Sequence, residues 1–377
     1  MIENRSGQRP AGPPPPIPLT ILTGFLGAGK TTLLNRLVAD PALADTVVVV
    51  NEFGEIGLDH LLVETVEDGL VLLSAGCLCC TVRGDLVQTL EDLLRKRDNG
   101  RIVPFRRVVI ETTGLADPAP VLAAVLYHPY LSRRYAIEGV VTVVDAMHGA
   151  ATIERHEEAR RQVAVADRIV ISKGDLATDG GQVLEDRLRQ LNPGAVLLRA
   201  VQGEIPAEQV ISGGLFDAAG KIADVAAWLR AEEVAAAKHG AHDHHHHHHV
   251  SRHDARIHSF VLTSEAPVGQ GALDTFLEML RAQLGPKLLR LKGLVALKHD
   301  PSRPLVIQGV QHVIHVPALL PDWPDADHRT RIVLIVEDVP RQAIERMWRA
   351  FTGQSSLDEP DAAALTDNPL APATMAR

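Results

Sequence analysis

The sequence is poor in cysteine and lacks any long apolar run. Three cysteines in 377 residues are too few for a disulfide framework. No stretch approaches the roughly 18 apolar residues of a membrane-spanning helix, and the leading MIENRSGQRPAGPPPPIP has no apolar core of a secretory signal. We therefore expect a cytoplasmic protein with reduced thiols and no membrane partner.

Basic residues do not exceed acidic ones. The formal net charge is −9 and we find no RNA- or DNA-binding motif, which argues against nucleic acid as a partner, because phosphate backbones are bound by basic patches. Apolar residues make up 46% and charged residues 23%, as in ordinary soluble globular proteins. At about 100–200 residues per domain, the length predicts two or three domains.

The first half alternates apolar β-branched runs with helical patterns. Strands are predicted in IPLTILTGF, TVVVVNE, GLVLLSAG, RRVVIETTG, EGVVTVVDA, ADRIVISKGD and AVLLRA, and helices in Thr31–Ala39 and GDLVQTLEDLLRKRDNG. Continuous rather than alternating apolar runs are typical of strands buried on both faces of a parallel sheet. The pattern predicts an α/β domain at about 18–225, with a mostly parallel, doubly wound sheet.

The pattern changes in the second half. After a histidine-rich linker at 226–256, strands are predicted in RIHSFVLT, LLRLKGLVAL, PLVIQGVQHVIHV and RIVLIVED, and helices in GALDTFLEMLRAQLG and RQAIERMWRAF. This order predicts a smaller C-terminal α+β domain at 257–352. We expect its sheet to expose one face to a client protein or a second copy, giving a homo-oligomer. Residues 1–17 and 353–377 are predicted to be disordered.

The stretch GFLGAGKTT predicts a phosphate-binding loop. Its motif residues, in the pattern G-x-x-x-x-G-K-[ST], are Gly24, Gly29, Lys30 and Thr31, and the motif follows an apolar strand and opens a helix. The backbone N–H groups would point at phosphate oxygens. Lys30 would bind the β- and γ-phosphates, and the Thr31 hydroxyl would ligate Mg²⁺. The domain is therefore predicted to be a P-loop NTPase.

Further nucleotide contacts are expected at the carboxyl ends of neighbouring strands. In VVIETTG, Glu111 could hold a Mg²⁺-bound water or orient the attacking one, and the Gly114 N–H could meet the γ-phosphate. VISKGD resembles the N-K-x-D element that reads guanine, with Asp175 accepting from the base and the Lys173 stem lying along it. Ser172 stands where asparagine is usual, so the preference for GTP over ATP is a hypothesis.

The three cysteines lie within four residues, as Cys77, Cys79 and Cys80. Thiolates this close favour soft or borderline ions such as Zn²⁺ or Cu⁺. Three protein ligands leave one position open, which suits a site that must release its metal. Ordinary buried cysteines and a strained redox disulfide between Cys79 and Cys80 are the alternatives.

A fourth ligand is expected in NEFGEIGLDH, which follows the second strand. Glu52 is preferred over the other candidates, which are Glu55, Asp59 and His60. This segment also stands where a nucleotide-sensitive switch loop would lie, so the metal site would sense whether GTP or GDP is bound.

These motifs together resemble the CobW-type family of P-loop GTPases, which is related to the hydrogenase and urease maturation GTPases. The resemblance rests on GFLGAGKTTLLN, NEFGEIGLDH, GCLCC, ETTGLADP and SKGD in the family's order, and it covers residues 18–352. It implies a slow GTP hydrolase that binds a transition metal and delivers it to a client metalloprotein.

The resemblance also implies residue roles. It carries nucleotide contacts over to the loop residues Gly27, Ala28, Gly29, Lys30, Thr31 and Thr32. It carries metal binding over to the three cysteines, and a catalytic or Mg²⁺ role to Glu111. Zinc is the preferred metal, and cobalt supply for corrin synthesis or activation of nitrile hydratase remains open.

Ten histidines lie between His239 and His258. Neutral imidazoles bind Zn²⁺, Ni²⁺, Co²⁺ and Cu²⁺, so the tract could gather metal for the cysteines or serve as a solvated linker. A passive metal store and a small-molecule kinase are the alternative functions. The kinase explains neither the cysteines nor SKGD.

Overall fold

The computed structural model describes residues 14–51, 63–66, 70–75, 82–177, 179–211 and 256–353. The cysteines, Glu52 and the histidines from 239 to 253 therefore lie outside the described residues, as do the predictions made for both chain ends. Within the described ranges, we find no helix that combines the length and the apolar character needed to cross a membrane.

The N-terminal part alternates strands and helices. Its first elements are β1 Ile17–Gly24, α1 Lys30–Val38, β2 Thr46–Asn51, β3 Val63–Val66, β4 Leu70–Ala75, α2 Val82–Asp98, β5 Arg107–Glu111, α3 Ala119–Leu126 and α4 Leu131–Arg134. It continues with β6 Tyr135–Asp145, α5 Gly149–Arg155, α6 Glu157–Val165, β7 Arg168–Ser172, α7 Gln182–Leu191, β8 Val196–Arg199 and α8 Ala207–Ile211.

The first sheet has eight strands in the order β3-β4-β2-β5-β1-β6-β7-β8. All of its neighbouring pairs are parallel except β3 with β4. The predicted strands are confirmed. The apolar runs of β1, β2, β5, β6 and β7 are buried between layers of helices. The short antiparallel edge strand β3 was not predicted.

The C-terminal part is an antiparallel sheet with two helices. Its elements are β9 Ile257–Ser264, α9 Gln270–Leu284, β10 Leu288–Leu297, β11 Asp300–Val310, β12 Val313–Ile314, β13 Ala318–Leu319, β14 Thr330–Glu337 and α10 Arg341–Thr352. The strand order is β12-β11-β10-β14-β9, and β13 also pairs with β11. The run PLVIQGVQHVIHV was predicted as one strand, but it turns at Gln311 and His312 between β11 and β12.

The expectation of an exposed sheet face is wrong. One face of the second sheet packs against α9 and α10 around Phe276 and Trp348. On the other face, Leu289 and Ile335 belong to the same buried cluster as Val163 of α6. The two domains therefore share a core, and every residue of β10 is buried.

Candidate functional site

The carboxyl ends of β1, β5, β6, β7 and β8 lie along one edge of the first sheet, and the phosphate-loop motif connects β1 to α1 there. Gly24 has φ +144°, and a Cβ added to it would lie 2.4 Å from the carbonyl oxygen of Val143. Gly29 has φ +95°, in the left-handed region that disfavours larger residues. The loop path therefore requires both motif glycines.

The Lys30 and Thr31 side chains lie at the start of α1. Lys30 Nζ donates to the carbonyl of Gly24 at 2.8 Å and to that of Phe25 at 3.3 Å. Thr31 Oγ1 donates to Glu111 Oε1 at 3.1 Å, and Glu111 is only 5% exposed. A hydroxyl and a carboxylate oxygen this close suit a hard cation such as Mg²⁺, so these residues fit the predicted magnesium site.

The loop after β5 lies against the phosphate loop. Thr112 Oγ1 donates to Thr23 Oγ1 at 2.8 Å. Gly114 is buried, and a Cβ added to it would lie 2.7 Å from the backbone nitrogen of Leu26. No larger residue fits at 114 without movement, so the backbone of this loop and that of the phosphate loop are in direct contact.

The end of β7 also contacts the phosphate loop. Ser172 Oγ donates to the carbonyl of Ala28 at 2.6 Å. Lys173 has φ 56°, and its Nζ donates to the Gly27 carbonyl at 2.8 Å and to Asp145 Oδ2 at 2.6 Å. The Ser172 hydroxyl thus fixes the backbone of the phosphate loop, a role that was not predicted from the sequence.

Asp145 is a site residue that the sequence analysis missed. Burial raises its pKa, but the hydrogen bonds from Lys173 and from the Met147 N–H outweigh burial, so the pKa stays below its ordinary value. Asp145 is therefore a carboxylate that holds the Lys173 ammonium beside the phosphate loop. Its position at the end of a predicted strand was the available signal.

A pocket of about 270 Å³ adjoins the phosphate loop. Its lining includes the predicted residues Gly29, Thr32, Ser172, Lys173 and Asp175, and also Ala200, Gln202 and Gly203 from the segment after β8. This last segment was not predicted as part of the site, although it follows the predicted strand AVLLRA. The structure thus brings together the phosphate loop and both segments that would enclose a base.

Two strands outside this pocket, β2 and β4, end directly before the segments that contain the predicted metal ligands. Asn51 of β2 pairs with Ala75 of β4, and Val50 pairs with Glu111 of β5. Among the described residues, no group of three or more metal-ligating side chains lies close enough to hold an ion. The metal residues Cys77, Cys79, Cys80 and Glu52 stay predictions.

Two family models match the chain. Residues 18–199 match the CobW/HypB/UreG nucleotide-binding domain, and residues 257–352 match the cobalamin synthesis protein CobW C-terminal domain. The zinc chaperone YjiA of Escherichia coli is 33% identical over 338 residues, which cover 90% of this chain and 98% of that protein. The chain belongs to the CobW/HypB/UreG family. The predicted family is confirmed.

Other CobW/HypB/UreG relatives are similar over different lengths. The crystal structure of the zinc-bound YjiA GTPase of Escherichia coli has a TM-score of 0.67 and 29% identity, covering 89% of this chain and 99% of that one. A variant of it lacking one glutamate and two adjacent cysteines was also solved with zinc bound. The zinc-regulated GTPase metalloprotein activator 1 of Schizosaccharomyces pombe is 33% identical over 198 residues, covering 50% of this chain and 47% of that protein.

These findings confirm the P-loop fold and the prediction that the chain is a GTP hydrolase. The roles of individual residues stay predictions, as do the domain boundaries drawn at 225, 256 and 352.

Proposed function

We propose that this GTPase is a zinc metallochaperone. It binds zinc at Cys77, Cys79 and Cys80 together with Glu52, and it hydrolyses GTP to deliver the metal to a client metalloprotein. The observation that carries the proposal is the pairing of Asn51 with Ala75 beside Glu111. The chain leaves this pair of strand ends directly into the glutamate segment and the cysteine segment.

The nucleotide half of the proposal uses the phosphate-loop residues. Lys30 binds the β- and γ-phosphates, and Thr31 and Glu111 hold Mg²⁺, which neutralises charge on the phosphates when it is bound. Glu111 also orients the attacking water. The Gly114 N–H meets the γ-phosphate, and support comes from the contact between Gly114 and the phosphate loop.

Recognition of guanine uses the pocket beside Thr32. Asp175 is exposed at its rim, where a carboxylate can accept from the base. The Lys173 stem runs along the base while its ammonium stays on Asp145 and Gly27. Because Ser172 is hydrogen-bonded to Ala28, selection of GTP over ATP depends mainly on Asp175.

Metal binding in this proposal depends on the thiolates and the carboxylate of the proposed ligands. Zn²⁺ binds thiolates and carboxylates, and a site near the γ-phosphate can form and loosen with the nucleotide state. The zinc-chaperone names of the relatives support zinc over cobalt, and the name of the Schizosaccharomyces protein supports a metalloprotein as client. The Escherichia variant still holds zinc without a glutamate and two cysteines, so the test must separate this site from others.

Coupling between the two sites is reciprocal at equilibrium. If a GTP analogue tightens zinc binding, zinc must tighten binding of the analogue by the same factor. We would titrate Zn²⁺ and Co²⁺ against a competing chelator with no nucleotide, with GDP–Mg²⁺ and with a non-hydrolysable GTP analogue. A variant with all three cysteines changed to serine and a deletion of residues 239–253 would be measured in parallel.

The proposal expects one tight zinc site that needs the analogue, vanishes in the cysteine variant and survives the histidine deletion. Zinc affinity that ignores nucleotide and is lost only in the histidine deletion would contradict it and favour metal storage. Tighter binding of Co²⁺ than Zn²⁺ at the cysteine site would instead make the cargo cobalt.

A further inference from the structure

The loop between β5 and α3 is also held by α6. Gln162 of α6 is 1% exposed, and its Nε2 donates to the carbonyls of Gly114 at 3.2 Å and Ala116 at 3.0 Å. This one side chain therefore holds two carbonyls of the loop backbone. The direction of the Gly114 peptide therefore depends on the position of α6.

Helix α6 is in turn attached to the C-terminal domain. Arg161 donates to Glu337 Oε2 at 3.0 Å, and Arg290 Nη1 donates to the carbonyl of Val165 at 3.0 Å. Glu337 ends β14 and Arg290 lies in β10. The middle and the C-terminal end of this short helix are thus held by strands of the second sheet.

A second contact reaches the same loop directly from the C-terminal domain. Gln311 Nε2 donates to Asp117 Oδ2 at 2.6 Å, while Asp117 Oδ1 accepts from the Ala119 N–H at 2.9 Å at the start of α3. Gln311 is 5% exposed and has φ 52°. A left-handed conformation is strained at a residue other than glycine and persists where the surroundings require it.

We infer that Gln311 is a positioning residue for GTP hydrolysis. Through Asp117 it fixes the loop that carries Gly114, so the C-terminal domain sets the rate at which the N-terminal domain cleaves GTP. The inference rests on the proposed place of Gly114 beside the γ-phosphate. Since GDP has no γ-phosphate, the contact affects hydrolysis and leaves GDP affinity unchanged.

A charge-swap series tests this contact. Q311E sets a carboxylate against Asp117 and removes the donor, whereas D117N keeps an amide oxygen for the Ala119 N–H and can still pair with Gln311. In the double variant, the amide introduced by D117N donates to the carboxylate introduced by Q311E. Single-turnover GTP hydrolysis should fall about tenfold in Q311E and return to within about twofold in the double variant, because the restored hydrogen bond couples the two residues directly.

The matched control is Y127F. Tyr127 OH donates to the carbonyl of His312 at 2.6 Å, so it joins the same two domains at the next residue of the turn without touching the loop after β5. Hydrolysis should be unchanged in Y127F, and GDP affinity should stay within about twofold of the original in every variant. If Q311E does not fold, Q311M replaces it, since it removes the donor without adding charge.

E111Q separates failure of the inference from failure of the proposed site. If E111Q slows hydrolysis but Q311E or Q311M does not, the positioning role is overturned and the site stands. If E111Q also leaves hydrolysis unchanged, the proposed site fails, and the inference fails with it. Equal slowing in Y127F and Q311E would show a general interface effect and would likewise overturn the inference.

Discussion

Two aspartates lie at opposite ends of the β6–β7 strand pair, and each holds cations. Asp145 ends β6 at the carboxyl edge and pairs with Lys173, whose side chain is 38% exposed. Asp167 precedes β7 at the amino edge and contacts Arg290 and Lys292 of β10. Lys173 of the first pair lines the pocket beside the phosphate loop, and the second pair joins the two domains.

The difference lies in burial. Asp167 is 6% exposed and also accepts from the Val140 N–H at 2.9 Å. Burial raises its pKa, but Arg290 and Lys292 outweigh burial and bring the pKa to about 2. Burial lowers the pKa of Arg290, and the attraction of Asp167 offsets this effect only in part, so the pKa stays below its ordinary value. This cluster cannot exchange partners with solvent, whereas the Asp145 pair can.

The two aspartates show that the two edges of the first sheet have different surroundings. At the carboxyl edge the Asp145 pair lies beside the phosphate loop, while at the amino edge the start of β7 is covered by β10 of the second domain. We therefore expect similar ion pairs to serve binding at one edge and domain attachment at the other. The following experiments test that division.

The largest effect is expected for D167N. It leaves Arg290 and Lys292 buried without their carboxylate, and breaking a buried charge pair costs about 3–5 kcal/mol. Urea denaturation should show this loss in the free energy of unfolding, while GDP affinity of the folded protein stays the same. A loss below about 1 kcal/mol would mean that the amino-edge cluster does not hold the domains together.

A smaller effect on the free energy of unfolding is expected when the pH is lowered. His315 is buried beside Arg290 and Asp167, and burial, followed by the charge of Arg290, lowers its pKa from 6.5 to about 4. The folded state then binds fewer protons than the unfolded state between these values. The contribution of neutral His315 to stability is complete above about pH 6.5 and is lost as the pH falls toward 4. The free energy of unfolding should therefore drop on the order of 1–2 kcal/mol from pH 7 to pH 5.

Denaturation of the original protein and of H315N at both pH values would measure this difference. The variant lacks the titrating group, so its pH dependence should be shallower. Identical slopes in the two proteins would exclude His315 as the group responsible.

The smallest change in stability is expected for D145N, the carboxyl-edge counterpart of D167N. Lys173 loses its carboxylate, so GTP affinity should fall about tenfold, as for one charged hydrogen bond. Because the pair is partly exposed, the free energy of unfolding should change by less than about 1 kcal/mol. Titration with a fluorescent GTP analogue would measure the affinity. A loss of stability in D145N as large as that in D167N would contradict the proposed difference between the two edges.

Much of the carboxyl edge could be predicted because its chemistry is local in sequence. Gly24, Gly29 and Lys30 are recognisable by spacing alone, and the apolar runs before them identify the strands. Asp145 and the segment from Ala200 to Gly203 were missed because they carry no motif. They belong to the site only through the strand order, which brings the end of β6 beside β1 and the end of β8 beside β7.

The C-terminal domain was less predictable for a different reason. Arg290 and Lys292 alternate with leucines and so suggest a solvent-facing side, yet their partner Asp167 belongs to another domain. The turn at Gln311 contains neither glycine nor proline, and a contact with Asp117 accompanies it. Such features arise from tertiary contacts, which propensity and periodicity do not encode.

The position of β14 inside its sheet has a consequence during synthesis. Within the described part of the chain, β9 pairs with β14 alone, so this early strand has no strand to pair with until the ribosome has passed Glu337. At about 5–20 residues per second, the delay lasts several seconds. Until β14 emerges, β9 has no strand to pair with, so the nascent chain carries an open strand edge that another chain can pair with.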